Sequence, residues 1–370
     1  MKEPRFNPNL LKVPLYVAGR SIEAVKEELG LEEVIKLASN ESPIGPSPLA
    51  VAAAQHTLDE AHRYPGIADQ VLRQRLAARL DPELDESNIV IGNGGTDVLR
   101  MITQAFVFEG GNTVMGQVTF PMYHILTTMF GGVPKLVPLT SDYRHDLTAM
   151  AELIDDDTRI VYLCSPNNPI GNILTQAEVD NFIGRLPGPV IIVFDESYRD
   201  YVTDPDYANS LAYVKEGRNV LVVGSFSKSA GLANLRVGYA VGRTELIDYV
   251  RHTQLPFHTS AIALSAAAAS LDDEAYHARH RQMVLAEREY LYSALRELKL
   301  NCLPSQANFI VIIDPPLTPA TLVEGLLRRG VIVRAMSAFG LPNAVRVTVG
   351  TPEENKKFIE VLQTVLVAGL

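Results

Sequence analysis

Short apolar runs separated by amphipathic stretches constrain this chain more than any other feature. Residues 88–91, 113–115, 160–164, 190–194 and 220–223 read as strands. Between them, residues 98–108, 123–130 and 175–183 carry helical periodicity. Strands alternating with helices predict an α/β unit built on a mostly parallel central sheet flanked by helices. Beyond it the pattern changes. Residues 272–297 read as one long helix, with apolar positions at Val284, Leu285, Tyr290, Leu291 and Leu295. A strand (309–313), a helix (318–329), two strands (331–334 and 344–349) and a closing helix (352–367) follow, which is a smaller α+β unit. The expected division is an N-terminal arm with part of the small unit (1–39), a large unit (40–255) and a small C-terminal unit (256–370).

Composition removes several classes of function. The chain has 370 residues, 47% hydrophobic and 21% charged, with a formal charge of −10. That is a globular balance, not that of a disordered chain. An acidic chain offers no global attraction to nucleic acid or anionic lipid. Cys164 and Cys302 are the two cysteines, so a disulfide framework and a four-cysteine metal site are excluded. The start, Met1-Lys2-Glu3-Pro4-Arg5, lacks the apolar core of a signal peptide. No uncharged apolar run reaches the roughly 18 residues of a membrane helix. A cytoplasmic protein with no membrane or nucleic-acid partner is expected. The eight histidines form no metal pattern and read as ordinary surface or polar-core residues.

In open α/β sheets, ligands bind beyond the carboxyl ends of the strands. Four predicted strands here end in chemically rich tails. They are Gly92-Asn93-Gly94-Gly95-Thr96-Asp97, Cys164-Ser165-Pro166-Asn167-Asn168-Pro169, Asp195-Glu196-Ser197-Tyr198 and Ser225-Phe226-Ser227-Lys228. Together they supply a lysine, a carboxylate, a phenol, an amide, hydroxyls and a glycine-rich helix entrance. Pyridoxal phosphate needs that set: a lysine for its aldehyde, a carboxylate for its ring nitrogen, donors for its phenolate oxygen and an anion site for its phosphate.

The ordered motifs Lys36-Leu37-Ala38-Ser39-Asn40-Glu41-Ser42-Pro43, Arg63-Tyr64-Pro65-Gly66, Ser165-Pro166-Asn167-Asn168-Pro169, Asp195-Glu196-Ser197-Tyr198, Ser225-Phe226-Ser227-Lys228 through Arg236, and Val345-Arg346-Val347-Thr348-Val349-Gly350 cover nearly the whole chain. In them the sequence resembles the fold-type I, pyridoxal-phosphate-dependent aminotransferases, and is most similar to the histidinol-phosphate aminotransferases. The resemblance implies that Lys228 is the Schiff-base lysine and afterwards the base that shuttles a proton. It implies that Asp195 keeps the ring nitrogen protonated, that Tyr198 and Asn168 contact the phenolate oxygen, and that Phe120 stacks on the ring. A phosphate site of Gly95, Thr96, Ser225, Ser227 and Arg236 follows, because a helix N-terminus and a guanidinium fork suit an anion. Arg346 is expected to hold the substrate anion, with Arg334, Asn40 and Asn308 lining the pocket. Tyr64 and Tyr16 are expected to reach a neighbour's site, which makes the active unit a homodimer.

The substrates implied are an amino donor and a 2-oxo acid, in the reversible exchange L-histidinol phosphate + 2-oxoglutarate = imidazole acetol phosphate + L-glutamate. Four departures stand against the pattern: Ile170 after Asn168-Pro169, Gly94-Gly95-Thr96-Asp97 in place of Gly-Ser-Asp-Glu, Phe120 in place of a tyrosine, and Asn234 in place of a glycine. An aromatic amino acid aminotransferase on the same scaffold is the alternative, since hydrophobic pockets discriminate modestly. Ser225-Phe226-Ser227-Lys228 also satisfies the Ser-x-x-Lys of acyl-serine hydrolases, but the companion Lys-Thr-Gly and Ser-Asp-Asn do not occur. A non-enzymatic binding module would not need the full reactive set.

Overall fold

The structure is a computed structural model, and it describes residues 6–14 and 19–368. Its strands in chain order begin with β1 (Ile35–Lys36), β2 (Ile89–Gly92), β3 (Asn112–Gly116), β4 (Val133–Val137), β5 (Thr158–Cys164), β6 (Ile191–Asp195) and β7 (Val220–Ser225). They continue with β8 (Gly238–Gly242), β9 (Asn301–Leu303), β10 (Phe309–Ile313), β11 (Val331–Ile332), β12 (Arg334–Ala335) and β13 (Ala344–Thr348).

The central sheet has the order β2-β8-β7-β6-β5-β3-β4. Only β8 runs against the others, pairing antiparallel with both β2 and β7. The predicted mostly parallel sheet is therefore present. Its inner strands are valine- and isoleucine-rich because both faces are covered. Side chains alternate between two cores, as a period of two requires. Ile192 and Phe194 of β6 pack toward the helices Pro48–Thr57, Ala68–Leu80, Gln176–Ile183 and Ala261–Ser270. Ile191 and Val193 pack toward Gly95–Phe106, Met122–Met129 and Thr244–Arg251. Parallel strands place their carboxyl ends on one edge. The registers Cys164↔Asp195 and Asp195↔Val223 set three of the predicted tails side by side there.

The second unit is an antiparallel sheet of order β12-β13-β10-β9. Its core joins Phe309, Val311, Val345 and Val347 to the long helix Glu274–Glu297 and the closing helix Pro352–Ala368. On the long helix the buried stripe is Val284, Arg288, Leu291 and Leu295. Tyr290, placed in that stripe from the sequence, is exposed, and Arg288 is buried in its stead, donating through Nη1 to the Ala307 carbonyl at 3.1 Å.

Two details differ from the sequence reading. The expected strand 331–334 is split: β11 pairs in parallel with β1, whereas β12 pairs with β13. Core membership also runs past residue 255. Ala263, Leu264, Ala266 and Ala267 belong to the large-sheet core, so the two cores part between Ser270 and Glu274. An alanine-rich helix carries no sign of which sheet it will cover. At the other end, Val25 and Ala38 pack with Leu327 and Ile332, which attaches the N-terminal segment to the small unit.

Candidate active site

A cavity of about 470 Å³ opens at the carboxyl edge of the central sheet, against the small unit. Thirteen residues named from the sequence line it: Asn40, Gly95, Thr96, Phe120, Asn168, Asp195, Tyr198, Ser225, Ser227, Lys228, Arg236, Arg334 and Arg346. Positions far apart in the chain meet because β2, β5, β6 and β7 all end at this edge.

Lys228 follows β7. Its Nζ donates to the Ser39 carbonyl at 3.3 Å and lies 5.7 Å from the centre of the Tyr198 ring. Burial, reinforced by the charges of Arg346 and Arg236, pushes its pKa down to about 8, while Glu41 and Asp195 pull the other way. A lysine that loses its proton near neutral pH is a usable nucleophile and base.

Asp195 ends β6 and is buried. One carboxylate oxygen accepts the Tyr123 hydroxyl at 2.7 Å. The other accepts the Ser197 hydroxyl at 2.7 Å and the Ser197 N–H at 3.1 Å. Burial and the adjacent Asp195 charge raise the Tyr123 pKa well above the ordinary phenol value, so this phenol is a permanent donor. Tyr198 is also buried, and burial raises its pKa above the usual phenol range. Its hydroxyl accepts from Asn40 Nδ2 at 3.0 Å and from Asn168 Nδ2 at 3.4 Å. Asn168 Oδ1 in turn accepts from Arg346 Nη1 at 2.6 Å. One polar chain thus links the large unit's phenol to the small unit's arginine.

At the opposite end of the cavity, Gly95 and Thr96 open the helix Gly95–Phe106. Gly94, before them, has φ +85, and a Cβ there would lie 2.4 Å from Arg236 Nη2. The positive φ is what favours glycine here; the arginine tip is a close neighbour that a side chain would displace. Ser227 N–H donates to Ser225 Oγ at 3.1 Å, and Arg236 Nη1 is 3.5 Å from Ser227 Oγ. Unpaired helix N–H groups, hydroxyls and a guanidinium converge as an anion cradle.

Arg346 is 5% exposed. Its guanidinium lies 5.1 Å from the Phe309 ring and 5.5 Å from the Phe339 ring, and Nη2 donates to the Ala38 carbonyl at 3.0 Å. Arg334 stands opposite Arg346 in the β12–β13 register. Both guanidiniums line the same cavity, and a planar guanidinium suits a carboxylate or a phosphate.

Two of the predicted residues that the structure describes lie elsewhere. Asn308 does not line the cavity. It is fully buried and its Nδ2 donates to the Asn40 carbonyl at 3.1 Å, buttressing Asn40, whose φ is +55. Tyr64 is 75% exposed and stacks on Phe257 with ring centres 4.1 Å apart. Tyr16 lies outside the described residues. Sequence reasoning missed Tyr123, Ser197 and Phe339. Tyr123 and Ser197 sit within or beside quoted motifs, and their signal was a hydroxyl three residues from Phe120 and two from Asp195. Phe339 comes from a 3-10 turn, Ser337–Phe339, that no local pattern marks.

The family described as aminotransferase class I and II matches residues 32–362. A histidinol-phosphate aminotransferase of Moorella thermoacetica is 42% identical over 364 residues, covering 98% of this chain and 93% of that protein. The Bacillus subtilis protein of the same name is 38% identical over 362 residues, 98% of this chain and 100% of that one. In fold, the chain is similar to the histidinol-phosphate aminotransferase of Sinorhizobium meliloti, solved in complex with pyridoxal-5'-phosphate, with TM-score 0.90, 24% identity and coverage of 100% and 99%. The chain belongs to the class I and II aminotransferases.

Proposed function

We propose that the chain is a pyridoxal-phosphate-dependent histidinol-phosphate aminotransferase, acting by a ping-pong exchange between L-histidinol phosphate and 2-oxoglutarate. The observation that carries the reading is the Arg334–Arg346 pair lining the same cavity as the Lys228 amine. Planar guanidiniums grip a phosphate or a carboxylate in turn, and the two substrates present one each.

The residues present fit the cofactor. The anion cradle suits its phosphate, and it closes around Gly94, where even a Cβ would collide with Arg236. Asp195, fixed by two hydroxyl donors and one N–H, suits a protonated ring nitrogen. Tyr198 and Asn168 suit the phenolate oxygen, and Phe120, which lines the same cavity, would cover the ring. When bound, pyridoxal phosphate supplies an aldehyde for an amine and an electron sink for the negative charge that develops at the substrate Cα.

The chain's own residues do the rest. Lys228 would hold the cofactor through its aldehyde, and its amine is the base that would move the proton at the substrate Cα. Asp195 holds the proton on the ring nitrogen, stabilising charge as it develops. Arg346, whose guanidinium lies within 5.5 Å of both the Phe309 and the Phe339 ring centres, would orient the substrate through its anionic end, with Arg334 opposite it in register. The exposed Tyr64–Phe257 stack supports a homodimer in which Tyr64 serves the neighbouring site. Among the described residues no helix is long and apolar enough to cross a membrane.

The test is a half-reaction screen. The cofactor-loaded protein is mixed in turn with histidinol phosphate, glutamate, phenylalanine and tyrosine, and loss of the lysine-bound cofactor's absorbance is followed. Fast loss with histidinol phosphate and glutamate is expected. Fast loss with phenylalanine and tyrosine alone would make the aromatic reading the right one.

A further inference from the structure

His258 lies outside the cavity, and its side chain is only 5% exposed. Its Nε2 hydrogen-bonds Asp97 Oδ2. Its Nδ1 is buried with no hydrogen-bond partner among the described residues. Asp97 is a carboxylate, its pKa held below the ordinary value by hydrogen bonds from Arg100, Asn93 and His258 that outweigh the effect of burial. The imidazole therefore donates from Nε2, and that bond is the ring's one polar tie. A buried ring nitrogen left bare costs stability. Bulk packing alone would be better served there by an apolar side chain.

Asp97 stands in the first turn of the helix that opens at Gly95, directly beside the anion cradle. Its Oδ1 accepts from Arg100 Nε at 2.7 Å, and its Oδ2 also accepts the Asn93 N–H at 2.8 Å. Asn93 Nδ2 returns to the His258 carbonyl at 2.9 Å. Asn93 and His258 thus exchange two struts, one direct and one through Asp97, across the turn Gly92–Gly95. Gln254, from the same loop as His258, adds a third by donating to the Ile91 carbonyl at 2.9 Å. The result is a turn held from behind, directly ahead of Gly95 and Thr96, which open the helix and line the cavity. A bare carboxylate next to the cradle would also repel a phosphate dianion; His258 and Arg100 occupy both of its oxygens.

We propose that His258 is a positioning residue for the cofactor's phosphate: by clamping Asp97 and Asn93 it fixes the Gly95 and Thr96 amides in the anion-binding geometry and keeps the Asp97 charge directed away from it. This rests on the cofactor reading given above. Clamped donors bind an anion without first being ordered, so loss of the clamp is felt as lost phosphate affinity.

The experiment titrates the apoprotein with pyridoxal phosphate and, separately, with pyridoxal, which has the aldehyde and ring but no phosphate. Binding is read from absorbance of the lysine-bound chromophore. The wild type is expected to bind the phosphorylated form far more tightly. His258→Ala is expected to weaken pyridoxal phosphate about tenfold, the loss of one charge-assisted hydrogen bond, and to leave pyridoxal unchanged. His258→Gln, which can still donate to Asp97, is expected to restore most of that loss. Asn93→Ala removes the other strut and should show the same split, so the question survives if His258→Ala does not fold. Equal weakening of both ligands, or no weakening of either, would overturn the role given to His258. A wild type that binds neither ligand would overturn the cofactor reading instead.

Discussion

At the scale of single residues, two groups carry measurable consequences. With its pKa pushed down to about 8, Lys228 is mostly protonated at pH 7 and mostly neutral at pH 9. The rate at which apoprotein captures pyridoxal phosphate should therefore rise with pH and reach half its maximum near 8. An unburied lysine would place that midpoint near 10.5. Stopped-flow absorbance across pH 6–10 checks this. The same shift bears on folding with a definite sign. Below about pH 8 the apoprotein must bury the ammonium, and that cost fades as pH rises toward the unfolded value of 10.5. Tyr123 is the second. Tyr123→Phe keeps the ring stacked on Tyr162, 4.7 Å away, but removes a donor from Asp195. It is expected to lower kcat about tenfold, as losing one hydrogen bond to a buried charge does, and to lower the Tm of the apoprotein as well.

At the scale of elements, the helix Gly95–Phe106 and the strand β13 matter most. Gly94→Ala would force a Cβ onto Arg236 at a positive φ. It should cost about 1–2 kcal/mol in urea unfolding from the backbone conformation, and it should also weaken cofactor binding. On β13, Arg346→Lys keeps the charge yet loses the planar fork lodged between Phe309 and Phe339. The KM for 2-oxoglutarate is expected to rise about tenfold or more, while far-UV circular dichroism stays unchanged. The strands β5, β6 and β7 were readable because fully buried strands need unbroken runs of apolar residues. β4 and β8 were not. β4 is an edge strand with Val133 and Leu136 exposed, so no alternation marks it. β8, Gly-Tyr-Ala-Val-Gly, owes its place to space. A Cβ at Gly238 would lie 2.4 Å from the Gly95 nitrogen, so the close approach of two distant segments chose that residue.

At the scale of the whole molecule, the exposed aromatic pair Tyr64 and Phe257 bears on assembly. Tyr64→Ala removes a side chain that is 75% exposed, so subunit unfolding should shift by no more than about 0.5 kcal/mol. If Tyr64 serves a neighbour's phosphate, the same variant should release cofactor faster on dilution. Analytical ultracentrifugation should find a dimer, and a fully active monomer would overturn the shared-site reading.

The reactive set was legible in the linear chain. Lysine, aspartate, tyrosine and the glycine-rich turn stand directly after apolar strands, and the chemistry of the cofactor selects those residue types at those places. Patterning of apolar residues likewise determined the two units and the sense of the sheet, because burial has a period that sequence records. Tertiary structure alone decided what holds those groups in place. Tyr123 and Ser197 on Asp195, Asn308 behind Asn40, and Arg334 facing Arg346 are meetings of side chains from different elements, and their partners are chosen by register and packing. The same holds for the Ala261–Ser270 helix, whose alanines could cover either sheet until the helices Pro48–Thr57 and Ala68–Leu80 were there to receive them.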